Sequence, residues 1–129
     1  MDQHPTAQLV DLRSLPAVDC PCGEARRAFY DRGDFPATVH LTSIHTDARV
    51  HYHRRQTEVY VVLRCQSDAA IELDGQRMPL REGSAVLIPP GVRHRAIGEM
   101  EVIIFCTPKF DPADEFFDVP SPRTTPNSL

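Results

Sequence analysis

The feature that most constrains this chain is a succession of short β-prone runs, each closed by turn residues, between residues 37 and 107. Ala37 to Ile44 and Arg49 to His53 alternate or nearly alternate in polarity. Thr57 to Leu63 is dense in β-branched and aromatic side chains, which suit a pleated, half-buried surface. Ala69 to Leu73 meets Asp74-Gly75, a two-residue hairpin signal, and Gln76 to Leu80 returns. Ser84 to Ile88 follows Arg81-Glu82-Gly83, and Pro89-Pro90-Gly91 turns the chain into Arg93 to Ile97 and then Met100 to Thr107. No stretch in this span carries a helical apolar stripe. Many short strands with regular turns predict an all-β fold, an antiparallel sandwich or barrel. The one helical candidate is short, Asp114 to Phe117.

A chain of 129 residues fits one domain, and 41% hydrophobic residues suffice for a packed core. Residues 1–22, with Pro5, Pro16 and Pro21, read as an irregular N-terminal arm. Residues 119–129, with three prolines among Ser, Thr and Asn, read as a flexible C-terminal tail. The barrel domain is therefore expected over residues 23–118. No apolar run approaches the ~20 residues needed to cross a bilayer, so no membrane partner is expected. A formal net charge of −4 argues against a nucleic-acid partner. The N-terminus has neither a basic start nor an apolar core, so a cytoplasmic location is expected. Cys20, Cys22, Cys65 and Cys106 are then expected as reduced thiols.

The residues with chemistry to offer fall into a pattern. His51 and His53 are two apart, and the two-residue period of a strand puts both on one face. Glu58 heads the next run after the polar link Arg54 to Thr57, and a hairpin there would bring its carboxylate opposite the imidazoles. His94 follows the Pro-Pro-Gly turn. Singly, each histidine reads as a hydrogen-bonded structural residue and Glu58 as a solvated strand-edge charge. Together, three imidazoles and a carboxylate suit one divalent transition metal with positions left open.

The joint pattern resembles the cupin superfamily. Its first motif, G-x5-H-x-H-x3-4-E-x6-G, is matched by His51-Tyr52-His53, four residues, then Glu58. Its second, G-x5-P-x-G-x2-H-x3-N, is matched in register by Gly83, Pro89, Gly91 and His94. Residues 66 to 82 separate the motifs, as in small single-domain microbial cupins. His45 and Cys65 stand where the first motif has glycines, and Gly98 where the second has Asn. The resemblance implies a double-stranded β-helix (jelly-roll) barrel, with His51, His53, Glu58 and His94 holding Fe, Mn, Zn or Ni inside it. Cupins include isomerases, dioxygenases, decarboxylases, lyases and plain binders, so the fold leaves the activity open.

Tyr60 shares a face with Glu58 and is a candidate catalytic donor, or else core packing with a wet tip. His40 is a candidate neighbour of the site if its face of the strand turns inward. Arg26 and Arg27 are adjacent on an expected edge strand, so at most one reaches the pocket, and an inward Arg would favour a carboxylate or phosphate substrate. Arg93 and Arg95 alternate away from His94 and are expected on the surface, whereas Ala96 shares its face and leaves room for a ligand. Two functions compete: a metal-dependent enzyme acting on a small polar or acidic molecule, and a non-catalytic sugar- or acid-binding or sensing cupin. Sheet edges that need covering predict a homodimer.

Overall fold

The computed structural model describes residues 6–45 and 47–118, and the tail expected at 119–129 lies outside the described residues. Among the described residues nine strands are laid down in chain order: β1 Val18–Cys20, β2 Gly23–Ala28, β3 Thr38–Ile44, β4 Thr57–Cys65, β5 Ala70–Leu73, β6 Gln76–Pro79, β7 Ala85–Ile88, β8 His94–Ile97 and β9 Met100–Thr107. They form two antiparallel sheets, one ordered β1-β2-β3-β9-β4-β7 and the other β6-β5-β8. The fold is all-β and antiparallel, as the strand pattern predicted, and is the jelly roll that the resemblance implied. Alternation along β4 sends Glu58, Tyr60 and Val62 inward, and along β9 it buries Val102, Ile104 and Cys106. These meet Ile71 and Ala96 of the smaller sheet in one apolar core, together with Ile44, Ile88 and Met100.

The β5–β6 hairpin closes as expected. Asp74 and Gly75 both take positive φ, 48° and 84°, the geometry that matches the right-handed twist of flanking strands. The departure at Cys65 is absorbed differently from a turn. β4 runs on to Cys65, paired with Met100, by way of a bulge between Val62 and Arg64.

Four expectations need correction. Residues 1–22 are not wholly irregular: Leu12–Ser14 make a 3-10 turn capped by the Asp11 side chain, and β1 pairs with β2 from Val18↔Ala25 to Cys20↔Gly23. The Pro21-Cys22 turn makes this pairing possible, and Gly23 lies so close to β3 that a Cβ there would sit 1.9 Å from the Ser43 carbonyl oxygen. Consequently β2 is not an edge strand, because β1 covers it. Arg49 to His53 is not a strand but an extended segment with isolated bridges at His51 and Tyr52. Asp114 to Phe117 is not a helix: a 3-10 turn spans Pro112–Asp114, and Phe116 bridges Tyr52.

Candidate functional site

The imidazoles meet by a route other than the expected hairpin. His51 pairs with His94 across an antiparallel bridge, with N–H to carbonyl contacts of 3.1 and 2.9 Å in the two directions. Residues directly opposite on such a bridge project to the same face, and the two ring centroids are 4.3 Å apart. The Gly91 N–H donates to the His53 carbonyl at 2.7 Å, so the turn of one motif is fastened to the histidine pair of the other. Glu58 arrives from the opposite sheet, where β4 lies between β9 and β7.

One ligand atom from each of His51, His53 and His94 lies within 4.8 Å of the others. Glu58 Oε1 is 3.2 Å from His53 Nε2 and 3.3 Å from His94 Nε2. Neither approach is aligned as a hydrogen bond, and all three atoms are buried without a hydrogen-bond partner among the described residues. Such groups are costly unless something satisfies them.

The other ring nitrogens explain what that something is. Nδ1 of His51 faces the Arg49 carbonyl at 2.8 Å, Nδ1 of His53 the Asp114 carbonyl at 2.6 Å, and Nδ1 of His94 the Val92 carbonyl at 2.9 Å. A carbonyl only accepts, so each Nδ1 carries the proton and donates. In the neutral ring Nε2 is then a lone pair, and in His53 and His94 it points at a carboxylate oxygen that is also an acceptor. Acceptors converging on one point suit a cation, and a backbone-oriented imidazole is the usual form of a metal-ligating histidine. Without an ion, a proton on Nε2 facing Glu58 takes the place of the cation, and the pKa directions record that demand for positive charge. Burial alone would raise the Glu58 pKa, but His53 and His94 hold it well below the carboxylate range. His53 is raised despite burial because Glu58 faces it. His51 is pushed down to about 4 by burial and by His94, and so stays neutral. The residues present fit a divalent ion.

Glu58, Tyr60, His51 and His53 line a cavity of about 350 Å³, whereas His94 is buried and is not part of its lining. Tyr60 points inward as expected, and burial raises its pKa well above the usual value, so its hydroxyl stays protonated. Ala96 lines the cavity too. His40 turns out to face inward, its Nε2 2.8 Å from the Thr38 hydroxyl. Of the adjacent arginines, Arg27 reaches the cavity, while Arg26 turns away to the Leu15 carbonyl. Arg93 and Arg95 lie off the site, paired with Asp118 and Glu72. His45 is exposed on a loop. Cys65 stays away from the cavity lining, and Cys106 is buried beside Gln56, its thiol pushed up to about 12 by burial. Cys20 and Cys22 line the cavity with their sulfurs 3.9 Å apart.

Sequence reading missed Asp114. Its carboxylate accepts the backbone N–H groups of Arg54, Arg55 and Gln56 at 3.0, 3.0 and 2.9 Å, and its carbonyl accepts from His53. Only the polar link after His53, three N–H groups without a strand to satisfy them, could have hinted at such an acceptor.

The family profile described as Cupin domain matches residues 38–107. No match was found among curated proteins. Among solved structures, a protein from Planctomyces limnophilus is 48% identical, with a TM-score of 0.84 over 87% of this chain and 97% of that one. Pac13, a nucleoside dehydratase, is 20% identical, with a TM-score of 0.71 over 86% of this chain and 90% of that one; Pac13 from Streptomyces has also been solved with uridine. KdgF from Halomonas sp. is 18% identical, with a TM-score of 0.68 over 84% of this chain and 99% of that one. The last two show likeness of fold alone.

Proposed function

The chain belongs to the cupin family, and from that premise we propose that it is a divalent-metal-dependent enzyme acting on a small polar or acidic molecule inside the barrel. One observation carries this reading: the buried, partnerless His53 Nε2, His94 Nε2 and Glu58 Oε1 converge beside a cavity. His51, His53, His94 and Glu58 would hold the ion. Bound there, iron or manganese would support dioxygenase chemistry, and zinc, manganese or nickel isomerase or lyase chemistry, by polarising an oxygen or activating water or dioxygen. That Pac13 is a dehydratase lends support to the lyase class.

The chain's own residues supply the rest. Backbone carbonyls fix the three rings, so the ligand atoms are positioned before an ion arrives. Tyr60, protonated and facing the cavity, can donate a hydrogen bond to a substrate oxygen or give up a proton there. The apolar walls, Ile104, Ala96 and Phe117 among them, keep bulk water from the reacting atoms.

A homodimer belongs to the same proposal. Val61, Leu63, Leu87 and Phe105 share the outward face of β4, β7 and β9, where Leu87 is 64% and Phe105 38% exposed. An exposed apolar sheet face of this kind suits a second copy.

The test is metal content by inductively coupled plasma mass spectrometry on protein purified without added metal or chelator, beside a His51→Ala/His94→Ala double variant. Near-stoichiometric metal in the wild type and its loss in the variant are expected. Iron or manganese would direct assays to oxygen consumption, and zinc or nickel to isomerisation or elimination of small acids and sugars. A wild type that binds no metal even after reconstitution would overturn the enzyme reading and leave a metal-free ligand-binding barrel.

A further inference from the structure

Among the described residues, Arg27 forms no salt bridge. Arg13, Arg32, Arg55, Arg93 and Arg95 each reach a carboxylate, but among the described residues Arg27 reaches none. Its Nε is buried without a hydrogen-bond partner. The guanidinium lies over the Phe110 ring at 3.9 Å from the centroid and borders the same cavity as His51, His53 and Glu58. Burial draws its pKa down from the ordinary arginine value, and the attraction of Glu115 and Glu58 offsets that only in part.

A half-buried, stacked and unpaired arginine at a cavity wall is a poor device for stability. Cation–π contact with Phe110 holds the guanidinium plane in one orientation but does not neutralise it. An anion entering the cavity would. We propose that the substrate carries a carboxylate and that Arg27 anchors it, with the rest of the molecule directed toward the three histidines and Glu58. This rests on the metal-dependent reading above.

Carboxylate is favoured over phosphate by shape and by charge. A planar guanidinium fork matches a planar carboxylate in two parallel hydrogen bonds. Arg27 offers one positive charge, while Glu58 and Glu115 border the same space and would repel a dianion. The wall beyond Arg27 is apolar, with Ala25, Ile44 and Phe110, and so accommodates a carbon skeleton. The choice of Arg27 over Arg26 follows from β2 itself: neighbouring residues face opposite ways, and Arg26 is occupied with the carbonyls of Arg13 and Leu15.

The experiment uses the full chain loaded with Zn(II) and, in parallel, stripped with chelator. Acetate, lactate, succinamate, inorganic phosphate and neutral succinamide are titrated by isothermal calorimetry into wild type, Arg27→Gln and Arg27→Lys, after metal content and circular dichroism of each have been recorded. Expected is binding of at least one carboxylate but not succinamide, weakened about 10- to 100-fold in Arg27→Gln and partly kept in Arg27→Lys, with metal content equal in all three. Equal carboxylate binding by wild type and Arg27→Gln, or none by wild type, would overturn the assignment. Phosphate binding more tightly than every carboxylate would overturn the carboxylate class. Arg27-dependent carboxylate binding in a protein that takes up no zinc on loading would instead sink the metal reading and leave the anchor standing.

Discussion

The Nδ1–H of His53 donates to the backbone carbonyl of Asp114, 2.6 Å away and 61 residues along the chain. The same aspartate gathers the N–H groups of Arg54, Arg55 and Gln56, so one buried residue orients an imidazole and fixes the loop that carries it. Replacing Asp114 by Ala leaves three backbone donors without their acceptor. Unfolding free energy is expected to fall by about 2–4 kcal/mol, and metal affinity by about 10- to 100-fold. Thermal unfolding of the chelator-treated protein and competition against a chromophoric chelator separate the two effects. Unchanged affinity would mean that Asp114 is structural only.

Glu58 sits between two imidazole lone pairs, which makes its replacement informative. In Glu58→Gln the new amide can donate to Nε2 of His53 or His94, groups that have no partner in the wild type. At a pH where His53 is neutral, the metal-free variant is therefore expected to melt no lower than metal-free wild type, while its metal affinity falls at least 10-fold. A variant that is less stable and binds metal as well as wild type would contradict the convergence argument.

His40 gives an acid sensitivity with a definite sign. Burial and the Arg27 charge lower its pKa from about 6.5 to about 4. The unfolded chain then binds the proton more readily than the folded one. The contribution of neutral His40 is complete above about pH 6.5 and is lost as pH falls toward 4, on the order of 3 kcal/mol in all. Denaturation of metal-free wild type and His40→Gln at steps between pH 7 and 4 should show the gap between their stabilities narrowing, or reversing, toward acid. His53, whose pKa is raised, works in the opposite sense in both proteins and cancels in the comparison. Parallel curves would refute the assignment.

The outward face of β4, β7 and β9 bears on assembly. Light scattering with size exclusion is expected to give twice the 14.5 kDa chain mass for wild type and the chain mass for Leu87→Glu/Phe105→Glu, with metal content unchanged. A wild type that runs as a single chain would refute the dimer.

Much of this architecture was legible in the residues. β3 to β9 fall within a residue or two of the runs read from alternation and turn chemistry, because period and turn type are local properties. Asp74-Gly75 is the clearest instance, since its two positive φ angles require no tertiary help. The two motifs likewise marked His51, His53, Glu58 and His94 as one group by spacing, and the inward side of β4 carried Tyr60 with it.

Local preferences and ligand-type side chains at defined offsets can thus be read from the residues alone. Which of them meet depends on how the strands pack. His51 bridges His94 instead of forming a hairpin with β4, because 49–53 finds its backbone partners in the second motif and in Phe116. Arg27 rather than Arg26 enters the cavity because β2 pairs with β3 in one register, and that register sets the inward face. Asp114 holds His53 across 61 residues of chain. Alternation tells which side chains share a face, but not which strand lies beside which. That choice is made by burying all the inward faces at once in a single core.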